Sequence, residues 1–103
     1  MNQDIYRYRF FDAAPMAEVR DTLHLATFST EGLFGKAQVR LDAGFHIDER
    51  QHACVIDATT PVGRAVAQVF TSLLVRQFGE DAFSVERVGT DEPHRPDGGW
   101  PWG

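Results

Sequence analysis

Cysteine is nearly missing from this chain. Cys54 stands alone, so no internal disulfide can form, and a reducing compartment, the cytoplasm, is the expected location. Positive charge is also scarce. Ten Lys and Arg face 15 Asp and Glu, a formal net charge of −5, which argues against general phosphate binding and hence against a nucleic-acid partner. No apolar run approaches membrane-spanning length, and Met1-Asn2-Gln3-Asp4-Ile5-Tyr6-Arg7 has no signal-type apolar stretch, so no membrane partner is expected. What is present is 103 residues, 43% hydrophobic and 24% charged, the composition of one ordinary globular domain with its own core.

The stretch from Thr59 to Gly79 is the clearest element. Thr59 or Thr60 can cap a helix, Pro61 suits its first turn, Gly79 stops it, and Arg76 complements the dipole in its last turn. Between Arg64 and Arg76 there is no charge, and Ala67, Val75 and Phe78 widen the apolar stripe of Val62, Val66, Val69, Phe70, Leu73 and Leu74. An earlier helical period runs from Pro15 to about Leu33, with Met16, Val19, Leu23, Ala26, Thr30 and Leu33 on one stripe. Asp12 is its candidate cap, Gly32 and Gly35 bracket its end, and Leu25 and Phe28 form a second ridge.

Four strands complete the pattern. Residues 5–11 alternate, with Tyr6, Tyr8 and Phe10 on one face and Arg7 and Arg9 on the other. Lys36 to Asp48 reads as one long strand with Ala37, Val39, Leu41, Ala43, Phe45 and Ile47 on its buried side. After a four-residue loop, Asp48 to Gln51, the chain returns as His52 to Ala58. Pairing Ile47 with His52 places Phe45 opposite Cys54, Ala43 opposite Ile56, Leu41 opposite Ala58 and Asp42 opposite Asp57. Residues 83–88 are the last strand.

The order strand, helix, strand, strand, helix, strand predicts an α+β, ferredoxin-like βαββαβ domain over residues 1–88. Its four-stranded antiparallel sheet has the order 4-1-3-2, with two helices on one face. Residues 89–103, with three prolines and Gly-Gly-Trp-Pro-Trp-Gly at the end, read as an irregular C-terminal tail.

Candidate chemistry is sparse. Asp42 and Asp57 facing each other, with His46 one step along, are metal or acid–base candidates, set against a solvated lattice of ion pairs with Arg7, Arg9 and Arg40. Thr59, Thr60, Gly63 and Arg64 at a helix start are anion-site candidates, though capping accounts for the threonines. Cys54 falls on the apolar side as an inert core thiol, no nucleophile–base pair is identifiable, and no cofactor is predicted. The predicted strand 3 exposes no aromatic on which a base could stack. Two surpluses remain: uncharged apolar flanks on both helices and tryptophans in the tail. Leu25, Phe28, Ala67, Thr71, Val75, Trp100 and Trp102 are therefore the candidate protein-interface residues.

In size and predicted element order, residues 5–88 resemble the dimeric α/β-barrel group, whose ferredoxin-like subunits pair through their sheets and in some members bind or oxidise small molecules. The resemblance implies a pocket between sheet and helices lined by residues such as Tyr6, Tyr8, Phe45 and Phe70. The reading carried forward is a non-catalytic interaction or assembly module that binds itself, as a dimer, or a protein partner. The alternatives are a small-molecule enzyme or binder of the barrel type and, from the terminal Gly103, an acyl donor similar to ubiquitin-like proteins.

Overall fold

The computed structural model describes residues 4–11 and 14–89. These form β1 (Asp4–Phe10), α1 (Met16–Phe34), α2 (Lys36–Asp42), β2 (Gly44–Asp48), β3 (Ala53–Asp57), α3 (Pro61–Phe78), a short 3₁₀ turn (Glu80–Ala82) and β4 (Phe83–Gly89). The architecture is α+β, with an open antiparallel sheet ordered β2-β3-β1-β4 and three α-helices among the described residues. Read from the opposite edge, the neighbours run 4-1-3-2, so β1 and β3 are central and β2 and β4 form the edges.

Strand alternation decides which side chains meet the helices. Tyr8 pairs with Cys54 on one side and Val85 on the other, and Phe10 pairs with Phe83. Tyr8, Phe10, Cys54, Ile56 and Phe83 join Val19, Leu23, Val66, Phe70 and Leu74 of the helices in one apolar core. Phe70 meets the Tyr8 ring edge-on at 5.0 Å between centroids, a geometry that suits the opposed edge and face charges of the two rings. Burial of each large core side chain contributes about 1.5–3 kcal/mol.

α3 begins as the sequence dictates. Thr60 caps it, its Oγ1 accepting from the Gly63 amide at 3.0 Å, with Pro61 following in the first turn. Gly79 ends it at φ +89°, a conformation that disfavours any side chain. Gly63 has a different reason to be glycine. A Cβ built there would lie 2.0 Å from the Asp57 carbonyl oxygen, so the first turn of α3 rests directly on the backbone at the end of β3.

The long predicted strand over 36–48 is corrected: its first half is α2, and only Gly44–Asp48 extends. Gly35, at φ +88°, ends α1 and leads into a helix whose buried residue is Val39, 2% exposed. Leu41, predicted to face the core, is 81% exposed as a result. The hairpin register also moves by two residues, to Phe45 opposite Ile56 and Ile47 opposite Cys54. His52, at φ 52°, belongs to the turn, where the Asp48 carboxylate accepts from the Arg50 and Gln51 amides at 3.1 and 3.2 Å. A shift of two keeps each residue of β2 on its expected face and changes only its partner. Gly44, not Asp42, stands opposite Asp57.

In α1 the stripe from Met16 to Thr30 is buried as predicted, but Leu33 is 77% exposed because the last turn lies beyond that stripe. The position before α1 is Pro15, with no side-chain cap; Asp12 lies outside the described residues.

Gly63→Ala should destabilise the fold by at least about 3 kcal/mol, since the added methyl meets backbone that cannot swing away. Gly32→Ala, where an added Cβ meets nothing within 4 Å, should instead stabilise α1 by about 0.5–1 kcal/mol. Urea unfolding of the two variants beside the parent chain checks both signs.

Candidate functional site

On the inner face of the sheet, β1 presents Tyr6 and Tyr8, and β4 places Val85 directly beside Tyr8. α3 passes over them with Arg64, Ala67, Gln68, Thr71 and Ser72 spaced as one helical stripe. Between helix and strands lies a cleft of about 380 Å³ lined by these eight residues. Its floor is aromatic and aliphatic, and its rim carries a guanidinium, an amide and hydroxyls. That combination, an apolar surface with a few directed polar groups, is the usual make-up of a small-molecule site.

The polar groups at the bottom satisfy one another. The Thr71 hydroxyl donates to the Ala67 carbonyl at 2.7 Å and shares a hydrogen bond of 2.8 Å with the Tyr8 phenol. Burial pushes the Tyr8 phenol up to about 12, against which its hydrogen bond to Thr71 works only in part. Tyr8 therefore stays neutral at ordinary pH. Burial likewise raises the Cys54 thiol well above its usual range, which suits a core side chain and not a nucleophile.

The sequence candidates distribute as follows. Asp42 sits at the end of α2, where its carboxylate accepts from Gln38, and Asp57 accepts from the Thr59 amide at 2.8 Å. His46 stands opposite Val55 on β2. The proposed facing of Asp42 and Asp57 is thereby corrected, and Arg7 meets Glu86 of β4 at 3.2 Å instead of an aspartate of β3. Among the described residues no group of three His, Cys, Asp or Glu side chains is placed to hold a metal ion.

At the start of α3, the cap uses Gly63, the Arg64 amide bonds to the Thr60 carbonyl, and Thr60 donates to the Asp42 carbonyl at 3.2 Å. The Arg64 side chain lines the cleft and reaches the Ala58 carbonyl at 3.4 Å. Thr60 and Gly63 thus serve the helix start, while the Arg64 side chain turns to the cleft.

The interface candidates divide. Leu25, Phe28 and Val75 are exposed. Ala67, 4% exposed, and Thr71 face inward and belong to the cleft, which corrects their place on an outer flank. Trp100, Trp102 and Gly103 lie outside the described residues. Of the pocket residues implied by the barrel resemblance, Tyr6 and Tyr8 line the cleft, Phe70 lies in the core, and Phe45 belongs to the opposite edge strand. Gln68 and Ser72 were missed, and Arg64 and Thr71 were not grouped with them, although polar residues at helical spacing on an otherwise apolar helix are a readable signal. Leu33 and Leu41 were missed as exposed residues because each was placed on a buried face.

The chain matches no protein-family model, no curated protein and no solved structure. Among the described residues, no helix is long and apolar enough to cross a membrane.

Because Tyr8 and Cys54 keep their protons in the fold, the unfolded chain ionises first as pH rises. Stability should be full below pH 9 and fall beyond it, through about 12 for the Tyr8 share. Tyr8→Phe should cost about 1 kcal/mol at pH 7 through the lost hydrogen bond and flatten the decline between pH 10 and 12. Denaturant titrations at stepped pH read both effects.

Proposed function

We propose that this chain is a small non-catalytic interaction or assembly module of the cytoplasm, built on a ferredoxin-like frame into which α2 is inserted. It binds a partner protein or a second copy of itself through the outer surface of α1 and α2. The observation that carries this reading is the exposure of Phe28, Leu33 and Leu41, at 69, 77 and 81%. Leu25, on the same ridge as Phe28, and Phe34 in the last turn of α1 add to it. Large apolar side chains grouped on consecutive elements are what a protein contact buries, at about 25 cal/mol per Å² removed from water. Tyr8 held neutral, and carboxylates already engaged in local hydrogen bonds, favour binding over catalysis.

A second reading rests on the cleft between α3 and strands β1 and β4: a small-molecule binder or enzyme resembling the dimeric α/β-barrel group. Its ligand would be largely apolar, with a group able to accept from Arg64 or Gln68.

The double variant Phe28→Asp with Leu41→Lys should retain the parent's circular dichroism while losing self-association in light scattering or capture of a defined partner. Val75→Lys, at a site 37% exposed, should leave stability within about 0.5 kcal/mol. A parent chain that is a monodisperse monomer and recovers no partner sinks the interaction reading. A ligand-induced rise in melting temperature that disappears in Ser72→Phe, which fills the cleft, would favour the second one.

A further inference from the structure

The cleft beside α3 has a direction. The Ala58 amide donates to the Asp4 carbonyl at 2.7 Å, and the Arg64 guanidinium reaches the Ala58 carbonyl at 3.4 Å, so Arg64 stands at the Asp4 end of β1. Thr71, about two turns on, shares a hydrogen bond with Tyr8, farther along the same strand. α3 therefore runs beside β1 in the same sense, and Arg64, Gln68 and Ser72 line about 12 Å of it. The helix wall is low: Ala67, Thr71 and Ser72 are small, whereas Phe70 and Leu74 of the neighbouring stripe fill the core. Opposite stand the half-buried Tyr6 and Val85, 41% exposed.

The charges around the Arg64 end are accounted for group by group. Asp4 and Arg87, which strand alternation and register place on the same face as Tyr6, pair with each other at 3.0 Å. Glu86 lies on the opposite face with Arg7, and Asp57, also on that face, accepts from the Thr59 amide. The Asp42 carboxylate accepts from Gln38. Arg76, Glu80 and Asp81 follow Ser72 in the chain, outside the lining residues. Among the described residues no carboxylate pairs with Arg64, and the side chains of Tyr6, Gln68 and Ser72 make no hydrogen bond.

We propose that this cleft binds an aromatic monocarboxylate, its ring lying between Tyr6, Val85 and the small residues of α3 and its carboxylate on Arg64. The proposal rests on the second reading above and is independent of the α1–α2 surface. One guanidinium bond is spent on Ala58, and the planar fork retains donors for a carboxylate, with the Gln68 amide one turn on as a further donor. Two guanidiniums against one carboxylate make this end locally positive in a chain of net charge −5, which favours an anion here. A ring suits the slot better than an alkyl chain. It can stack or meet edge-on with Tyr6, and being rigid it loses little conformational freedom on binding.

Naphthoate, naphthamide and decanoate test the assignment, read by calorimetry and by amide chemical shifts. Naphthoate should bind saturably and shift the amides of Tyr6, Gln68, Ser72 and Val85, with naphthamide and decanoate at least about tenfold weaker. Arg64→Met, and independently Gln68→Glu, which sets a carboxylate beside Arg64, should erase the advantage of naphthoate over naphthamide while circular dichroism stays that of the parent. Ser72→Phe should abolish naphthoate binding. Equal affinity for naphthamide, or naphthoate binding indifferent to Arg64→Met, overturns the carboxylate assignment and leaves the cleft reading standing. Decanoate binding as tightly as naphthoate overturns the aromatic assignment in the same way. Shifts that fall elsewhere, or survive Ser72→Phe, overturn the proposal, and silence from all three compounds overturns it together with the cleft reading.

Discussion

The approach of Gly63 to the Asp57 carbonyl sets the geometry of much of the rest. A hydrogen in place of a methyl lets the first turn of α3 rest on the last residue of β3. The helix axis is thereby fixed close to the sheet, and the residues that follow at helical spacing come down on β1. Phe70 meets the Tyr8 ring, and Thr71 meets its hydroxyl. The Thr60 cap, the aromatic core and the cleft are one mechanical unit, because a helix lifted at its start would withdraw all three. The glycine–arginine pair at a strand-to-helix turn has the look of an anion site, yet close packing is what the glycine serves.

Much of the framework was legible because its signals are redundant. Thr60, Pro61 and Gly79 bound α3, and the alternation of Tyr6, Tyr8 and Phe10 names the inner face of β1. The segment 36–42 was not legible from alternation, since a period of two over seven residues places Val39 and Leu41 on one side whether or not the chain is extended. Composition held the better clue. Lys, Ala, Gln, Arg and Leu are helix formers, and Val39 is the one β-branched residue between Lys36 and Gly44. A 13-residue strand would also have outrun its partner, since β3 extends for five residues. The slipped register has a local cause as well: the turn consumes His52, which no side-chain pattern announces.

The candidate site was legible only in part. Leu25 and Phe28 stand out as a ridge off the buried stripe, and their exposure follows from helical geometry alone. The inward turn of Ala67 and Thr71 depends on how α3 is rotated over the sheet, which its broad apolar stripe does not by itself fix. Their regrouping with Tyr8 divides the surface by chemistry. The outer side of α1 and α2 exposes Leu25, Phe28, Leu33 and Leu41, whereas the trough beside α3 is apolar below and polar at its rim.

The conversion of half a predicted strand into α2 has a bearing on solubility. An unpaired strand edge is a template on which other chains can add, and its danger grows with length and apolar content. β2 offers only five residues at its edge, and the chain leaves it at one end for a helix and at the other for a tight turn. The other edge, β4, is longer but bears Ser84, Glu86 and Arg87 between its apolar residues. A β2 restored to 13 residues would expose a ladder of unpaired amides flanked by Leu41 and Phe45, a site for edge-to-edge growth. Folding those residues into a helix removes that hazard, and the chain can display apolar side chains beside the sheet without inviting fibrillar addition.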